Sequence, residues 1–198
     1  YLAGEISAAF VNGVQSKGIG TSLKHFAGNN QETRRMTCDS VIDERALREI
    51  YLTSFEKTVK QAQPWTIMNA YNRLNGTYCA ENKWLLTDVL RDEWGYKGMI
   101  VTDWGAENDR VAGLLAGQEL EMPTSNGLGN AQIVEAVKDG RIPEEFLDKM
   151  VDNVLTVIMK SKEVLGDYTY DKDAHHQKAR EIAAQCMVLL KNDADILP

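Results

Sequence analysis

The sequence predicts an α/β protein built from parallel (β/α) units. Short apolar, β-branched segments alternate with longer segments in which apolar residues recur with the period of a helix. The connections between them are short and are marked by Gly and Pro, and polar residues follow the predicted strands at their carboxyl ends. This alternation favours a parallel sheet with helices packed outside it.

Composition and charge narrow the class of protein. The chain has 198 residues, of which 43% are hydrophobic and 26% charged, enough for one globular domain with a sizeable core. A net charge of −7 without clustered Lys or Arg predicts no nucleic-acid partner. No apolar run approaches the length of a membrane span, so we expect no membrane association.

The cysteines are interpreted as free thiols. Cys38, Cys79 and Cys186 are far apart and lack C-x-x-C spacing, which argues against a zinc site or a disulfide framework. This favours a reducing compartment such as the cytoplasm, although the localisation itself stays unknown.

In the first half of the chain, apolar periodicity predicts helices at 2–16, 44–62 and 82–94, with strands at 21–26 and 65–70 between them. The first helix is expected to bury one face, formed by Leu2, Ile6, Phe10 and Val14. Asp43 is expected to cap the second helix, whose core stripe is Leu47, Ile50 or Tyr51, Phe55 and Val59.

In the second half, the predicted strands are 99–102 and 119–122, and the predicted helices are 107–116, 130–139, 144–162 and 174–191. Pro143 suits the first turn of the helix that follows it, and 167–173 has the polar composition of a linker. A closed (β/α)8 barrel needs eight strands and about 250 residues. The predicted strands therefore make half a barrel or a small doubly wound sheet.

Polar residues line up at the strand ends, where parallel α/β proteins build their sites. Strand one ends in Lys24 and His25, strand two runs into 69–72, strand three is followed by Asp103 and strand four contains Glu121. Each of these residues, taken alone, has an ordinary structural interpretation. An Asp after a strand, for example, is more often a helix cap than a nucleophile. Together they predict a sugar site, with a carboxylate to attack an anomeric carbon and cations to bind hydroxyls.

The paired histidines His175 and His176 invite a metal interpretation. They lie at a polar helix start with no third ligand in view, so we interpret them as surface residues and expect no metal.

The order of the motifs closely resembles glycoside hydrolase family 3, which contains many β-glucosidases. The resemblance runs over nearly the whole chain, and the segments that carry it are 24–33 with Arg35, 68–76, 85–98, 101–106, 120–123 and 188–192. The resemblance implies that 1–166 is the C-terminal half of a (β/α)8 TIM-like catalytic barrel, incomplete in this chain. It also implies that 167–198 is a linker and the start of the connection to an α/β sandwich domain.

The resemblance also implies roles for particular residues. Asp103 matches the nucleophile of a retaining, exo-acting enzyme that acts on small β-glucosides or oligosaccharides through a covalent glycosyl-enzyme. No cofactor is expected. The residues implied to bind the substrate are Lys24, His25, Arg35 (a better match than Arg34), Met68, Tyr71 and Trp104.

The acid/base residue is expected to lie outside these residues. The N-acetylglucosaminidase branch of the family carries a His in the loop that corresponds to 27–32, and this loop has none. Other branches take a Glu from the sandwich domain, and the family's early strands should precede Tyr1. The resemblance thus implies that the missing remainder of the chain is a partner and that the 198 residues alone are inactive.

Three alternatives stay open. The chain could be a structural or weakly sugar-binding half-barrel, its parent could prefer xylosides or arabinosides, or its parent could be a glycoside phosphorylase. A serine hydrolase is a more distant alternative, because no G-x-S-x-G motif occurs.

Overall fold

The computed structural model describes residues 1–164, 166 and 169–195. The chain divides into two compact units, 1–164 and 165–198. The predicted linker 167–173 and terminal segment 167–198 include positions 167, 168 and 196–198, which lie outside the described residues.

The first unit contains all strands of the described residues and most of the helices. The strands are β1 (Ser22–Phe26), β2 (Asp39–Ser40), β3 (Thr66–Asn69), β4 (Arg73–Leu74), β5 (Thr77–Tyr78) and β6 (Met99–Val101). The helices of this unit are α1 (Leu2–Gln15), α2 (44–62), α3 (Trp84–Glu93, which is π-helical), α4 (Arg110–Ala116), α5 (Leu128–Lys138) and α6 (Glu144–Lys162). The second unit contains α7 (Lys172–Cys186) and a 3-10 turn, Asp193–Asp195. None of these helices is both long and apolar enough to cross a bilayer.

The principal sheet is three-stranded and parallel, in the order β1-β3-β6. Its register pairs Leu23 with Ile67 and Ile67 with Ile100, so that these side chains share one face. Ile67 and Ile100 are fully buried in the main apolar cluster, which contains residues of β1, β3 and β6 and of helices α2 and α3. The predicted α/β class with parallel strands is therefore confirmed.

The predicted fourth strand, 119–122, is wrong as an extended strand. Only Leu120 pairs with the sheet, in a parallel bridge to Val101. The backbone amide of Met122 donates instead to the hydroxyl of Thr102, at 2.7 Å. This side-chain bond replaces the next backbone bond of the ladder, so pairing stops after one residue.

A second three-stranded sheet, in the order β2-β4-β5, was not expected from the sequence. β4 and β5 form an antiparallel hairpin around Asn75 and Gly76, both of which have positive φ. The Asn75 side chain also accepts from the amide of Ile42 at 2.8 Å and donates to its carbonyl at 2.9 Å. This small sheet covers the start of the loop that follows β1.

The buried face predicted for α1 is wrong. Leu2, Ile6 and Phe10 are exposed, and the buried residues of the helix are Gly4, Ala8 and Val11. A Cβ on Gly4 would lie 3.0 Å from the Cβ of Lys57 and 3.2 Å from the Cα of Ser54. Small residues allow α1 to approach α2 closely, and this close approach selects the buried face in place of apolar periodicity.

Helix α2 begins where the sequence predicts. Asp43 caps it by accepting from the amide of Ala46 at 3.0 Å. Between the α-helical segments Glu44–Ala46 and Thr53–Ala62 lies a π-helical segment, Leu47–Leu52. Of the two residues predicted at one position of the core stripe, Ile50 is exposed and Tyr51 packs partly buried against the main apolar cluster. The wider turn also buries Leu52, which lies outside the predicted stripe.

Two helix boundaries differ from those predicted by three residues or more. Helix α4 begins at Arg110 rather than near 107, because Asp109 caps it by accepting from the amides of Val111 and Ala112. Helix α7 ends at Cys186, and the extended backbone of Met187 stops it before 191.

We predict that Gly98→Ala destabilises the fold. A Cβ at this position would lie 2.5 Å from the carbonyl oxygen of Trp65 and 2.7 Å from that of Pro64, so the backbone before β3 would have to move. We expect a loss of about 1–3 kcal/mol in the free energy of unfolding, measured by chemical denaturation. Gly13→Ala is the matched control, because nothing lies within 4 Å of its Cβ and α1 favours Ala. Equal effects of the two substitutions would show that crowding at Gly98 is not the cause.

Candidate active site

The candidate site lies at the carboxyl ends of β1, β3 and β6. The parallel register pairs Phe26 with Asn69 and Met68 with Val101, so the residues that follow each strand emerge at the same edge. The peptide bond between Lys24 and His25 is cis. The apolar strand residues anchor this edge in the core and leave the polar residues beyond it partly exposed.

Asp103 and His25 form the centre of the site. The Nε2 atom of His25 lies 3.3 Å from Oδ2 of Asp103. The Asp103 side chain is 13% exposed and that of His25 is 33% exposed, so the pair is accessible but poorly hydrated. A carboxylate in this position keeps a defined orientation while one side remains open.

The backbone around Asp103 also fixes its carboxylate. Oδ1 accepts from the backbone amide of Trp104 at 2.7 Å, and the backbone carbonyl of Asp103 accepts from the amide of Ala106 at 3.0 Å. The two carboxylate oxygens therefore face different groups: Oδ1 accepts from the loop backbone, and Oδ2 lies beside the His25 imidazole of β1. Trp104, the next residue in the sequence, is 57% exposed.

Tyr71 joins the loop after β3 to the loop after β6. Its hydroxyl donates to the carbonyl of Trp104 at 2.9 Å, and the residue is buried. Burial raises the pKa of Tyr71, and hydrogen bonding to Asp103 and the negative charge of Asp103 raise it further. The phenol therefore remains protonated and can act as a donor throughout the physiological range.

Arg35 lies over Tyr71. Its guanidinium carbon is 4.6 Å from the centroid of the Tyr71 ring, a cation–π geometry. Glu32 holds the same guanidinium through an ion pair of 3.5 Å on the exposed side. The loop after β1 thus returns to the site and places a cation over the Tyr71 ring.

Lys24 and Met68 are at the same edge but less closely connected. Lys24 is exposed, and its positive charge acts on His25 and lowers the pKa of the imidazole. Met68 is half-buried in β3, the central strand, and pairs with Val101. The structure therefore brings His25, Arg35, Tyr71, Asp103 and Trp104 into direct contact and sets Lys24 and Met68 beside them.

The pKa of His25 is lower than that of an exposed histidine. Burial is the largest cause, and the charges of Lys24 and Arg35 act in the same direction. The negative charges of Asp103 and Glu32 oppose them. At neutral pH His25 is therefore a neutral imidazole, which can donate one hydrogen bond without adding a full positive charge to the site.

The acidic residues near this edge have other partners. Glu32 pairs with Arg35, and Glu121 accepts from the hydroxyl of Ser125 at 3.0 Å. Glu107 pairs with Arg110 at 3.2 Å, and burial raises its pKa to about 7. The sequence around Glu107 does not predict this rise in pKa, because the rise is caused by burial in the tertiary structure. No cluster of three or more His, Cys, Asp or Glu suited to a metal occurs within the described ranges.

The arrangement suits nucleophilic catalysis by a carboxylate. Asp103 accepts from the Trp104 amide, is partly shielded from water and lies beside the neutral imidazole of His25. The phenol of Tyr71 lies next to this pair, and the guanidinium of Arg35 lies over the phenol ring. Such donors can bind several hydroxyl groups of one ligand, while Trp104 offers an exposed aromatic surface.

Comparison with known proteins identifies a family. Residues 1–157 match the family described as "Glycosyl hydrolase family 3 N terminal domain". The chain is 57% identical over 199 residues to "Thermostable beta-glucosidase B" of Acetivibrio thermocellus, covering all of this chain and 26% of that protein. It is 54% identical over 200 residues to the "Exo-alpha-(1->6)-L-arabinopyranosidase" of Bifidobacterium longum, again covering all of this chain and 26% of that protein.

Solved structures agree with this family. The GH3 β-glucosidase of Bifidobacterium adolescentis superposes with a TM-score of 0.92 at 56% identity, covering 96% of this chain and 28% of that one. β-Glucosidase 3B of Thermotoga neapolitana, solved in complex with glucose, gives a TM-score of 0.91 at 44% identity, covering 96% of this chain and 28% of that one. The chain thus spans about a quarter of the length of the relatives it matches.

We predict that charge changes at this edge move the pKa of His25 in opposite directions. Asp103→Asn removes the negative charge that raises the pKa of the imidazole, so the pKa falls. Lys24→Met removes a positive charge that lowers it, so the pKa rises. Titration of the imidazole by NMR in the intact protein measures both shifts. Glu32→Gln is the graded control, because its smaller influence should give a smaller fall than Asp103→Asn. A rise after Asp103→Asn would refute this description of the site.

Proposed function

Since the chain belongs to glycosyl hydrolase family 3, we propose that it supplies the nucleophile of a retaining, exo-acting β-glycoside hydrolase. The proposed substrates are small β-glucosides or oligosaccharides with a terminal β-D-glucosyl residue. The observation that carries the proposal is the Asp103 carboxylate at the strand edge, with Oδ2 3.3 Å from His25 Nε2 and Oδ1 accepting from the Trp104 amide at 2.7 Å.

The proposed architecture is part of a (β/α)8 barrel, with 1–166 as its C-terminal half and 167–198 as the connection to a further domain. The parallel order β1-β3-β6, extended by the bridge from Val101 to Leu120, is what consecutive barrel strands require. A TM-score of 0.92 to a GH3 β-glucosidase supports the same arrangement. Barrel enzymes build their sites at the carboxyl ends of the strands, where Asp103 lies.

In the proposed first step, Asp103 attacks the anomeric carbon of the sugar and the bond to the leaving oxygen breaks. The product is a glycosyl ester on Asp103, which water then hydrolyses with overall retention of configuration. The hydrogen bond from the Trp104 amide holds the carboxylate in one orientation, which favours a single line of attack. The His25 imidazole beside it is neutral at neutral pH and therefore adds no positive charge next to the nucleophile.

Binding of the terminal sugar is assigned to the residues around Asp103. Lys24, His25 and Arg35 are proposed to bind ring hydroxyls, with charge-assisted donors from the two cations. Met68, Tyr71 and Trp104 are proposed as the walls of the same subsite. The cation–π contact of Arg35 with Tyr71, at 4.6 Å, supports a shared role for these two residues.

The second carboxyl group is proposed to come from outside the 198 residues. A retaining enzyme needs a general acid/base about 5–5.5 Å from the nucleophile. Glu32, Glu107 and Glu121 are engaged with Arg35, Arg110 and Ser125, which favours structural roles for them. The relatives are about four times as long as the matched segment, and the remaining chain has room for the missing residue. The 198 residues alone are therefore expected to turn over little substrate.

A second candidate differs in the sugar rather than in the mechanism. Relatives at nearly equal identity, 57% and 54%, are named as a β-glucosidase and an α-L-arabinopyranosidase. An arabinopyranoside lacks the hydroxymethyl group of a glucoside, so the two substrates differ in the volume that the subsite must provide. Hydrolysis rates for aryl β-D-glucoside and aryl α-L-arabinopyranoside, measured on the intact protein, separate these candidates.

We predict that a 2-deoxy-2-fluoro-β-D-glucoside labels Asp103. The fluorine slows both formation and hydrolysis of the glycosyl ester, and a 2,4-dinitrophenolate leaving group restores the first step. The adduct therefore accumulates, and peptide mass spectrometry can locate it. Asp103→Asn should lower kcat in the intact protein by roughly 10³-fold or more, because the covalent route is lost. A stable adduct on another residue would refute the assignment of the nucleophile.

We also predict that Arg35 contributes to sugar binding and Arg34 does not. Arg35→Met should lower kcat/KM by roughly 10- to 100-fold, the usual effect of losing a hydrogen bond from a charged group. Arg34→Met is the matched control, because Arg34 is exposed and only Arg35 contacts Tyr71. Equal losses in the two variants would indicate a general effect of charge rather than a contact with the sugar.

A further inference from the structure

The loop that carries Asp103 is tied on both sides to the segment 120–122. On one side, the backbone amide of Thr102 donates to the carbonyl of Leu120 at 3.0 Å, and the Thr102 hydroxyl donates to the carbonyl of Met122 at 3.1 Å. On the other side, the amide of Gly105 donates to the same Met122 carbonyl at 2.8 Å. The position of 120–122 therefore determines the position of Asp103.

Arg110 fixes the residues that lead into that segment. Its Nη2 donates to the carbonyl of Glu119 at 2.8 Å, and its Nη1 lies 3.2 Å from Oε1 of Gln118. Arg110 is the first residue of α4, and its side chain is 12% exposed. The guanidinium therefore connects the start of α4 to residues 118 and 119, which come directly before Leu120, the residue that pairs with the sheet.

Glu107 binds Arg110 and so links the loop after Asp103 to the segment 118–122. Its Oε1 accepts from Nη1 of Arg110 at 3.2 Å, and its side chain is only 4% exposed. The carboxyl packs so closely on α4 that a Cβ on Gly113 would strike Oε1. The second oxygen, Oε2, is buried without a hydrogen-bond partner in the part of the chain that the structure describes.

We propose that Glu107 is a positioning residue, which acts through Arg110 and the segment 118–122 to set the place of Asp103. The proposal rests on the proposed function, in which Asp103 is the nucleophile. Glu107 follows Asp103 in the same loop. The contacts of Thr102 with 120–122 hold the start of this loop, and the contacts of Glu107 with Arg110 hold its end. A shift of the Arg110 side chain would pass through Glu119 and Met122 to the residues that flank the nucleophile.

This network is sensitive to pH because the buried carboxyl titrates near neutrality. Burial raises the pKa of Glu107 to about 7, Arg110 opposes the rise, and the charges of Glu121 and Glu81 add to it. These residues reach Glu107 from α4, from the segment 120–122 and from the 3-10 turn Cys79–Glu81. Above about pH 7 the charged carboxyl holds Arg110, and below it the neutral acid holds Arg110 less firmly.

Ionisation of Glu107 is expected to strengthen its hold on Arg110 but to lower the stability of the fold. The pKa of Glu107 in the folded protein, about 7, lies above its ordinary value of 4.5. The folded state therefore retains a proton that the unfolded chain releases, and the contribution of this group to stability falls as the pH rises through this window. A substitution that removes the charge should not unfold the protein at pH 8, which separates positioning from folding.

The test measures attack by Asp103 without the acid/base residue. In the intact protein, the rate of inactivation by 2,4-dinitrophenyl 2-deoxy-2-fluoro-β-D-glucoside is followed from pH 5 to 9, because this leaving group needs no protonation. In the wild-type protein we expect the rate to fall on the acid side of an ionisation near pH 7. Glu107→Gln should lose that ionisation and react roughly tenfold more slowly at pH 8, as expected for a small displacement of the nucleophile.

Glu81→Gln is the matched control. Glu81 accepts from the amides of Asn108 and Asp109 in the same loop, and a Gln oxygen keeps both bonds. This variant should retain the ionisation and shift it slightly to lower pH, because the negative charge of Glu81 raises the pKa of Glu107. If Glu107→Gln does not yield folded protein, Glu107→Asp should keep the ionisation but react more slowly than wild type at pH 8.

The outcomes are distinguishable. If the wild-type protein is labelled on Asp103 and Glu107→Gln keeps the wild-type ionisation, the positioning role is wrong and the proposed function stands. An equal loss of rate at all pH values together with a lower Tm would also overturn it, because a purely structural role would act in that way. If the wild-type protein is not labelled on Asp103, the proposed function itself fails.

Discussion

The parallel register of β1, β3 and β6 is the constraint on which the rest of the site depends. Pairing of Phe26 with Asn69 and of Met68 with Val101 brings the ends of the strands to one edge. The contact of 3.3 Å between His25 and Asp103 depends on this register, since His25 lies in β1 and Asp103 follows β6, on the two sides of β3. A slip of one residue would turn side chains to the opposite face and break both the apolar cluster and the polar pair.

Within that frame, partial burial gives each polar group its state. His25 and Tyr71 both lie where water is scarce, so the imidazole stays neutral and the phenol stays protonated near neutral pH. Asp103 then accepts from the amide of Trp104 in its own loop, and the His25 imidazole lies beside its other oxygen. The site thus sets neutral polar groups next to the carboxylate, an arrangement that keeps the carboxylate oriented.

The sequence predicted the parts that depend on local pattern. β1, β3 and β6 were recognisable as short apolar segments, and the strand ends drew attention to His25 and Asp103. Features that depend on packing could not be predicted in this way. The buried face of α1 is set by the contact of Gly4 with α2, the two-residue strands β2, β4 and β5 are too short to have a period, and pairing after Leu120 stops because of a Thr102 side chain. The raised pKa of Glu107 depends on neighbours that sequence spacing does not reveal.

Trp104 stabilises the site through its main chain, and this affects how the site can evolve. Its amide donates to Asp103 and its carbonyl accepts from Tyr71, while its indole is 57% exposed and makes neither of these contacts. Both structural bonds are available to almost any residue at this position, because they use only the main chain. Mutation can therefore alter the surface offered to a ligand while the carboxylate keeps its geometry, so that new preferences can be sampled without rebuilding the centre.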